Sequence, residues 1–163
     1  VPEIVKEYGN EFTVATVGTI KVTPHSVNVI PGTCTFSLEI RDQSAEVMKL
    51  IENHLRQLLE DICKKYGVTS TFVPTSYHDP APMSELVRGT IEEAVKELGI
   101  DYTVIPSGAF HDSLIMTSVF PTGMIFVPSK DGISHSRYEY TAPEDIENGC
   151  NVLLNTVIKL DEK

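Results

Sequence analysis

The amino-acid sequence predicts an α/β chain in two parts, an α+β part over residues 1–78 and an α/β part over residues 79–163. Two observations predict this division. The first half places strand-like runs beside a long amphipathic helix, the pattern of a small antiparallel sheet with helices on one face. The second half alternates short apolar runs with helical segments, which indicates parallel βα units. Asp79-Pro80-Ala81-Pro82 is a rigid connector and marks the predicted boundary.

The first half begins with a short helix, which two strands follow. Residues 13–22 are rich in Val, Thr and Ile, which suit a pleated strand. Residues 34–41 alternate apolar and polar side chains, so one strand face is predicted to be polar and to carry Arg41. Pro31-Gly32 indicates a turn before this second strand.

A long helix is predicted next, because apolar residues recur at steps of three and four over residues 45–65. Ser44 is the expected N-cap and Gly67 the expected end of this helix. Residues 68–77 predict a further strand, which Pro74 places at a sheet edge or ends. One more strand ahead of residue 1 would complete the sandwich.

The second half predicts three helices and two short buried strands. In chain order these are a helix over 85–98 capped by Ser84, a strand over 102–105, a short helix over 111–120, a strand over 124–127 and a last helix over 142–160. Thr141 and Glu144 match the capping box at the start of the last helix. So few elements do not close an α/β domain, so this half is expected to be part of something larger.

Composition excludes several classes of function. The net charge of −10 and the scattered basic residues argue against a nucleic-acid surface. No apolar run approaches the roughly 20 residues of a membrane span, and no signal peptide is visible. Cys34, Cys63 and Cys150 fit neither a disulfide framework nor a structural zinc site and are expected in the core. We therefore expect a cytoplasmic protein. The start at Val1 suggests a piece of a longer chain.

His111 is the first candidate for chemistry. It lies in Ser107-Gly108-Ala109-Phe110-His111-Asp112, between a predicted strand end and the start of a helix. Ligands of open α/β sheets bind at such strand ends, and helix N-termini favour anions. The alternative is a helix-capping pair in which His111 is merely exposed, and residue types alone do not decide between the two.

His135, Arg41 and Asn28 are the other candidates. His135, in the loop of residues 132–136, is a residue type that ligates metals, and Glu139 is near enough in sequence to support its imidazole. A catalytic metal needs about three protein ligands, however, so spacing alone disfavours a metal site. Arg41 suits carboxylate binding through its planar guanidinium, and Asn28 precedes the turn; a solvated strand face is the alternative for both.

A family resemblance runs through nearly the whole chain. In the first half it is carried by Thr16-Val17-Gly18, by Val27-Asn28-Val29-Ile30-Pro31-Gly32 and by the strand that ends in Arg41. In the second half it is carried by residues 107–112, 121–128, 132–136 and 139–145. In this order the segments resemble the hydantoinase/carbamoylase amidases. That family includes N-carbamoyl-L-amino-acid hydrolases, allantoate amidohydrolases and β-ureidopropionases, and belongs with the dinuclear metallohydrolases.

The resemblance implies a lid or dimerisation domain over residues 1–78 and the C-terminal segment of a dinuclear metallohydrolase catalytic domain over 79–163. It implies that His135 is the last metal ligand, and that Asn28, Arg41 and His111 bind substrate in an active site shared between the subunits of a homodimer. The intact enzyme would use two divalent ions, zinc, manganese or cobalt, to activate a water molecule.

The implied substrate is a small N-carbamoyl amino acid or a related compound with a carboxylate and a ureido or amide group. The remaining metal ligands and the general base are expected in an absent N-terminal part. We therefore assign no catalytic residue in this chain, and expect it to bind metal weakly and to be inactive alone.

Three departures leave the substrate open. Phe110 stands where the family usually has Gly, Ser113 where it has Ala, and Arg137-Tyr138 where it has Pro-Glu. Two alternatives remain: a non-catalytic dimerisation module formed through exposed strands, and an aminoacylase or peptidase of the same clan. The resemblance of the segment from Asn28 to Arg41 to the lid pattern of the family favours the carbamoylase branch.

Overall fold

A computed structural model describes residues 1–162, which form two compact units. The N-terminal unit is Val1–Pro80 and the C-terminal unit runs from Ala81 onward. Their boundary falls inside the Asp79-Pro80-Ala81-Pro82 connector, where prolines restrict the backbone.

The N-terminal unit is an α+β structure, as predicted. Its elements are the helix α1 (Pro2–Tyr8), the strands β1 (Val14–Thr16), β2 (Ile20–Thr23), β3 (Thr33–Phe36) and β4 (Glu39–Arg41), and the helix α2 (Ala45–Tyr66). β1 pairs with β4 and β2 pairs with β3, both antiparallel. The four strands are thus the two arms of one hairpin, with residues 24–32 as the connection.

The hairpin contains a bulge that the sequence did not predict. Residues 17–19 separate β1 from β2, but only Ser37 and Leu38 separate β3 from β4. One extra residue on the first arm breaks the ladder, so the predicted continuous strands over 13–22 and 34–41 are each interrupted. Ser37 bridges the gap, because its N–H donates to the Thr19 carbonyl at 3.1 Å and its Oγ accepts from the Thr19 N–H at 3.0 Å.

Helix α2 begins and ends where its sequence predicts. The Ser44 hydroxyl accepts the Val47 N–H at 3.3 Å, and Gly67 ends the helix in the left-handed region at φ 65°. Ile51 and Leu55 are the buried residues of α2. His54 of α2 is half-buried and stacks on Tyr8 of α1 with ring centroids 3.7 Å apart. Helix α1 therefore covers this side of α2.

Asp42 joins the loop after α1 to the turn before α2. Its carboxylate accepts hydrogen bonds from the Thr13 hydroxyl, from the Asn10 amide at 3.3 Å and from the Ser44 N–H at 2.8 Å. Burial by itself raises the pKa of Asp42, but these donors, Thr13 foremost, outweigh burial and lower that pKa. The ionised carboxylate therefore stabilises the junction from which β1 and α2 start.

The C-terminal unit contains α3 (Glu85–Glu97), the short helix α4 (Asp112–Met116), a 3₁₀ turn (Lys130–Gly132) and α5 (Pro143–Asp161). Helix α3 packs against α5. The buried residues of this pair are Thr90, Ala94, Val95, Val152 and Thr156. The Ser84 cap was predicted correctly, since its hydroxyl accepts the Val87 N–H at 3.5 Å.

The predictions of three strands were wrong. Residues 68–77, 102–105 and 124–127 form no strand, because no segment of residues 1–162 offers them a hydrogen-bonding partner. Val104 is 67% exposed and Ile105 58%, so the predicted burial of this run also fails. The parallel βα units expected here are therefore not formed within the part of the chain that the structure describes.

Two smaller predictions were also wrong. The N-cap of α5 is Ala142, without a side-chain hydrogen bond, so Thr141 forms no capping box; a proline in the first turn starts the helix instead. Cys34 and Cys150 are exposed and Cys63 is half-buried, so the cysteines do not lie in the core. A bilayer span would need a longer and more apolar helix than any found in residues 1–162.

Candidate functional site

Asn28 and Arg41 lie on the hairpin of the N-terminal unit. Asn28 is exposed in the connection over residues 24–32, where its side-chain oxygen accepts the Ser26 hydroxyl at 2.7 Å. Arg41 is the last residue of β4 and pairs with Val14 of β1. The ladder thus places Arg41 at the end of the hairpin away from the connection that holds Asn28.

The Arg41 guanidinium already contacts a carboxylate. Its Nη2 lies 2.8 Å from Oε1 of Glu39, two residues earlier on the same strand face, and both side chains are about half exposed. An exposed ion pair of this kind contributes about 0–1 kcal/mol, so a ligand carboxylate can compete for the guanidinium. The geometry of Arg41 therefore suits a binding site for a ligand carboxylate, with which the Glu39 carboxylate competes only weakly.

His111 lies at the start of α4 in the C-terminal unit. Its backbone occupies the N-cap position, but its side chain makes no capping hydrogen bond. The half-buried imidazole instead places Nε2 2.7 Å from Oγ of Ser107, and its ring meets the edge of Phe126 with centroids 5.6 Å apart. The structure thus favours a held imidazole over the helix-capping alternative.

Helix α4 is attached to the segment of residues 124–127 at two points. Phe126 contacts His111, and the Ser113 hydroxyl donates to the Met124 sulfur at 2.9 Å. Ser113 is one of the departures from the family pattern, and its extra hydroxyl supplies this second contact. The orientation of His111 therefore depends on where residues 124–127 pack.

His135 has an uncommon backbone conformation. It lies at φ 55°, in the left-handed region, and its side chain is exposed. Its N–H donates to Oε2 of Glu139 at 2.8 Å. We expected Glu139 to support the imidazole; it accepts from the His135 backbone instead, so it holds the loop that presents the ring. In the same loop, the Arg137 guanidinium lies 4.7 Å from the Tyr138 ring centre and donates a hydrogen bond to the Tyr138 hydroxyl.

The residues present do not make a metal site by themselves. Among residues 1–162 no three His, Cys, Asp or Glu side chains are grouped so as to hold an ion. His135 alone falls short of the roughly three ligands that a catalytic metal requires. The described residues therefore do not fit a bound metal without ligands from elsewhere.

The candidates divide between the units, Asn28 and Arg41 in one and His111 and His135 in the other. Ser107 and Phe126, which contact His111, were not assigned a role from the sequence. For Ser107 the available signal was its position four residues before a histidine in a loop. For Phe126 there was none, because a contact between separate segments depends on packing.

The chain belongs to the peptidase family M20/M25/M40, whose model matches residues 6–159. Among curated relatives it is 40% identical over 148 residues to an N-carbamoyl-L-amino acid amidohydrolase of Geobacillus stearothermophilus, with 91% of this chain and 36% of that protein covered. It is 34% identical over 145 residues to an allantoate amidohydrolase of Bacillus subtilis, with 89% and 35% covered. The chain thus spans about a third of the length of these relatives.

Solved structures give the same result. The chain matches AtUAH in complex with glyoxylate at a TM-score of 0.90 and 34% identity, over 99% of this chain and 38% of that one. It matches a hydantoinase/carbamoylase family amidase of Burkholderia multivorans at a TM-score of 0.86 and 35% identity, over 96% and 38%. The resemblance to hydantoinase/carbamoylase amidases is confirmed, and the named homologues are hydrolases that act on C–N bonds.

Proposed function

We propose that this chain is part of a metal-dependent amidohydrolase that cleaves N-carbamoyl amino acids or related ureido or amide compounds. The observation that carries the proposal is the exposed Arg41 guanidinium, which already contacts a carboxylate at 2.8 Å. The similarity to amidohydrolases of carbamoyl and ureido compounds supports it over about nine-tenths of the chain.

Each candidate residue has a role that its chemistry allows. Arg41 binds the substrate carboxylate, since its planar fork can donate two parallel hydrogen bonds. Asn28 has both a donor and an acceptor for a ureido group, and His111 provides a further polar contact. Because Asn28 and Arg41 lie at opposite ends of the hairpin, they are proposed to reach one substrate from different subunits of the homodimer. Holding the substrate at more than one point lowers the entropic part of the barrier.

His135 is proposed as one metal ligand of the longer protein. Its exposed imidazole and its left-handed backbone, held by Glu139, support this role. Two divalent ions, zinc, manganese or cobalt, would need their other ligands from outside residues 1–162. The chain by itself is therefore proposed to bind metal weakly and to turn over nothing.

We also propose a homodimer formed through the hairpin. Each strand is paired on one side only within residues 1–162, so each arm keeps a free edge. Several apolar side chains of the hairpin are exposed, among them Ile20 at 67% and Phe36 at 47%. Sedimentation equilibrium at two protein concentrations tests this; a monomer at both would contradict it.

All three cysteines are free thiols, which suits the cytoplasmic location proposed for this protein.

The test uses the protein encoded by the complete reading frame that contains this chain. We expect it to hydrolyse an N-carbamoyl amino acid faster than the matching N-acetyl amino acid, and to lose activity when metal is removed by a chelator. Arg41→Ala should raise KM about 10- to 100-fold, the equivalent of one hydrogen bond to a charged group. Arg88→Ala, an exposed arginine of α3, is the matched control and should leave KM unchanged.

Each other outcome has a definite meaning. Preference for the N-acetyl substrate would place the protein in the aminoacylase branch. If the protein turned over neither substrate and bound no metal, the alternative of a non-catalytic dimerisation module would be supported. If Arg88→Ala changed KM as much as Arg41→Ala, the carboxylate site on β4 would be refuted.

A further inference from the structure

The hydroxyl of Ser107 lies at hydrogen-bond distance from His111 and accepts a backbone N–H through a second contact. Oγ of Ser107 is 2.7 Å from Nε2 of His111, a typical distance for a hydroxyl donor. The same Oγ accepts the Ala109 N–H at 3.3 Å. Ser107 is half-buried, so its one hydroxyl proton needs an acceptor nearby.

The donors and acceptors around Ser107 favour one direction for its hydrogen bond with His111. A serine hydroxyl has one proton to donate, and a neutral imidazole has one N–H and one bare nitrogen. Within residues 1–162, Nε2 of His111 is the acceptor that the structure offers to the Ser107 proton, because the Ala109 N–H is a donor. Donation to Nε2 satisfies the Ser107 proton within the protein, which favours Nε2 as the bare nitrogen and places the imidazole proton on Nδ1.

We propose that Ser107 is a positioning residue that holds neutral His111 as its Nδ1–H tautomer, so that His111 meets a substrate oxygen as a hydrogen-bond donor. This inference rests on the proposed function for the identity of the ligand, an oxygen of a carboxylate, ureido or amide group. The side chain of His111 makes no capping bond to α4, so Nδ1–H is not used by the helix.

Two packing contacts keep the ring in the orientation that this bond requires. Phe126 meets the imidazole at an interplanar angle of 62°, which restricts rotation of the ring. Ser113 of α4 donates to Met124, which lies in the same segment as Phe126. This second contact helps to keep the His111 imidazole against the Phe126 ring. A flipped imidazole would bring Cε1 toward the Ser107 hydroxyl in place of the acceptor Nε2.

The first experiment reads the tautomer directly and does not depend on activity. The chain is labelled with ¹⁵N-histidine, and two-bond ¹⁵N–¹H correlation spectra are recorded in buffer basic enough to keep histidines neutral. His111 is identified by the signals lost in His111→Gln. We expect the Nδ1–H pattern in the parent chain and in Ser107→Thr. In Ser107→Ala the ratio of Nδ1–H to Nε2–H forms should fall about fivefold, as for loss of one ordinary hydrogen bond.

The matched control is Ser118→Ala, which removes a serine hydroxyl bonded to the Ile115 carbonyl at 2.7 Å. It should leave the His111 pattern unchanged and shows that the loss of a serine hydroxyl does not alter the ring by itself. An Nε2–H pattern in the parent chain would overturn the proposal. So would a Ser107→Ala spectrum identical to that of the parent.

A second arm measures the consequence in the protein of the complete reading frame. Ser107→Ala should raise KM about fivefold with a smaller change in kcat, and Ser107→Thr should restore KM. An unchanged KM in Ser107→Ala, with binding lost in His111→Gln, would overturn the donor role. If His111→Gln itself left KM unchanged, the proposed function of His111 would fail, whereas the tautomer assignment would stand on the spectra.

Discussion

Replacing Gly149 with alanine is expected to destabilise the C-terminal unit, although this change normally stabilises a helix. Gly149 lies inside α5, where Gly→Ala gains about 1 kcal/mol from helix propensity. A Cβ at this position would lie 2.6 Å from Cγ1 of Val127, so a side chain or the backbone must shift. Such overpacking costs about 1–3 kcal/mol, and the net effect is a loss of up to about 2 kcal/mol.

Gly89 provides the control within the same unit. It lies inside α3, and a Cβ there would meet nothing within 4 Å. Gly89→Ala should therefore stabilise the unit by about 0.5–1 kcal/mol. The two alanine variants should differ by about 1–3 kcal/mol in free energy of unfolding, since they share the propensity gain and differ in the clash.

The assay is urea unfolding of each variant followed by far-ultraviolet circular dichroism. The double variant Gly149→Ala/Val127→Ala removes Cγ1 and should recover most of the loss, which gives a coupling energy of about 1–3 kcal/mol. If Gly149→Ala stabilised the chain as much as Gly89→Ala, residues 124–127 would not pack against α5. The contact of Phe126 with His111, which depends on that packing, would lose its support.

Two further predictions concern the junction in the N-terminal unit and the His135 loop. Asp42→Asn should lower the free energy of unfolding by about 1–2 kcal/mol at neutral pH, because an amide replaces a carboxylate that accepts the Thr13 hydroxyl. Since the folded pKa of Asp42 is lowered, its stabilisation is present above the unfolded value of about 3.9 and is lost as pH falls through the folded pKa. Urea unfolding at about pH 7 and pH 3 measures this; a gap that grows in acid would contradict the sign. Glu139→Ala should speed hydrogen exchange of the His135 amide about fivefold, because its acceptor at 2.8 Å is removed. Nuclear magnetic resonance exchange rates test it against exposed Glu144→Ala, and equal rates in both variants would refute the role of Glu139.

The helices were predictable because their signals are local. Ser44 and Gly67 bound α2 as expected, since a cap depends on hydrogen bonds within one turn of the helix. The strands were less predictable. Residues 102–105 have the apolar character of a buried strand, but a strand exists only through its ladder, and residues 1–162 offer this run no partner.

The candidate functional residues also divide into features that local sequence predicts and features that it does not. Arg41 on a polar strand face was predictable from the alternation of side chains in residues 34–41, and it is exposed at the end of β4. The family was recognisable because its motifs occur in order along the chain, and the match over residues 6–159 confirms it. The roles of Asn28, Arg41, His111 and His135 stay predictions.

The amino-acid sequence by itself determined the helices, the class of fold and the family, because each depends on neighbouring residues or on motifs read in order. Tertiary structure decided the contacts that give single side chains their roles. It placed Ser107 2.7 Å from His111, directed Glu139 to a backbone N–H and set Tyr8 over His54. The physical reason is that a hydrogen bond or ring contact requires two groups within a few ångströms, which only the folded chain establishes.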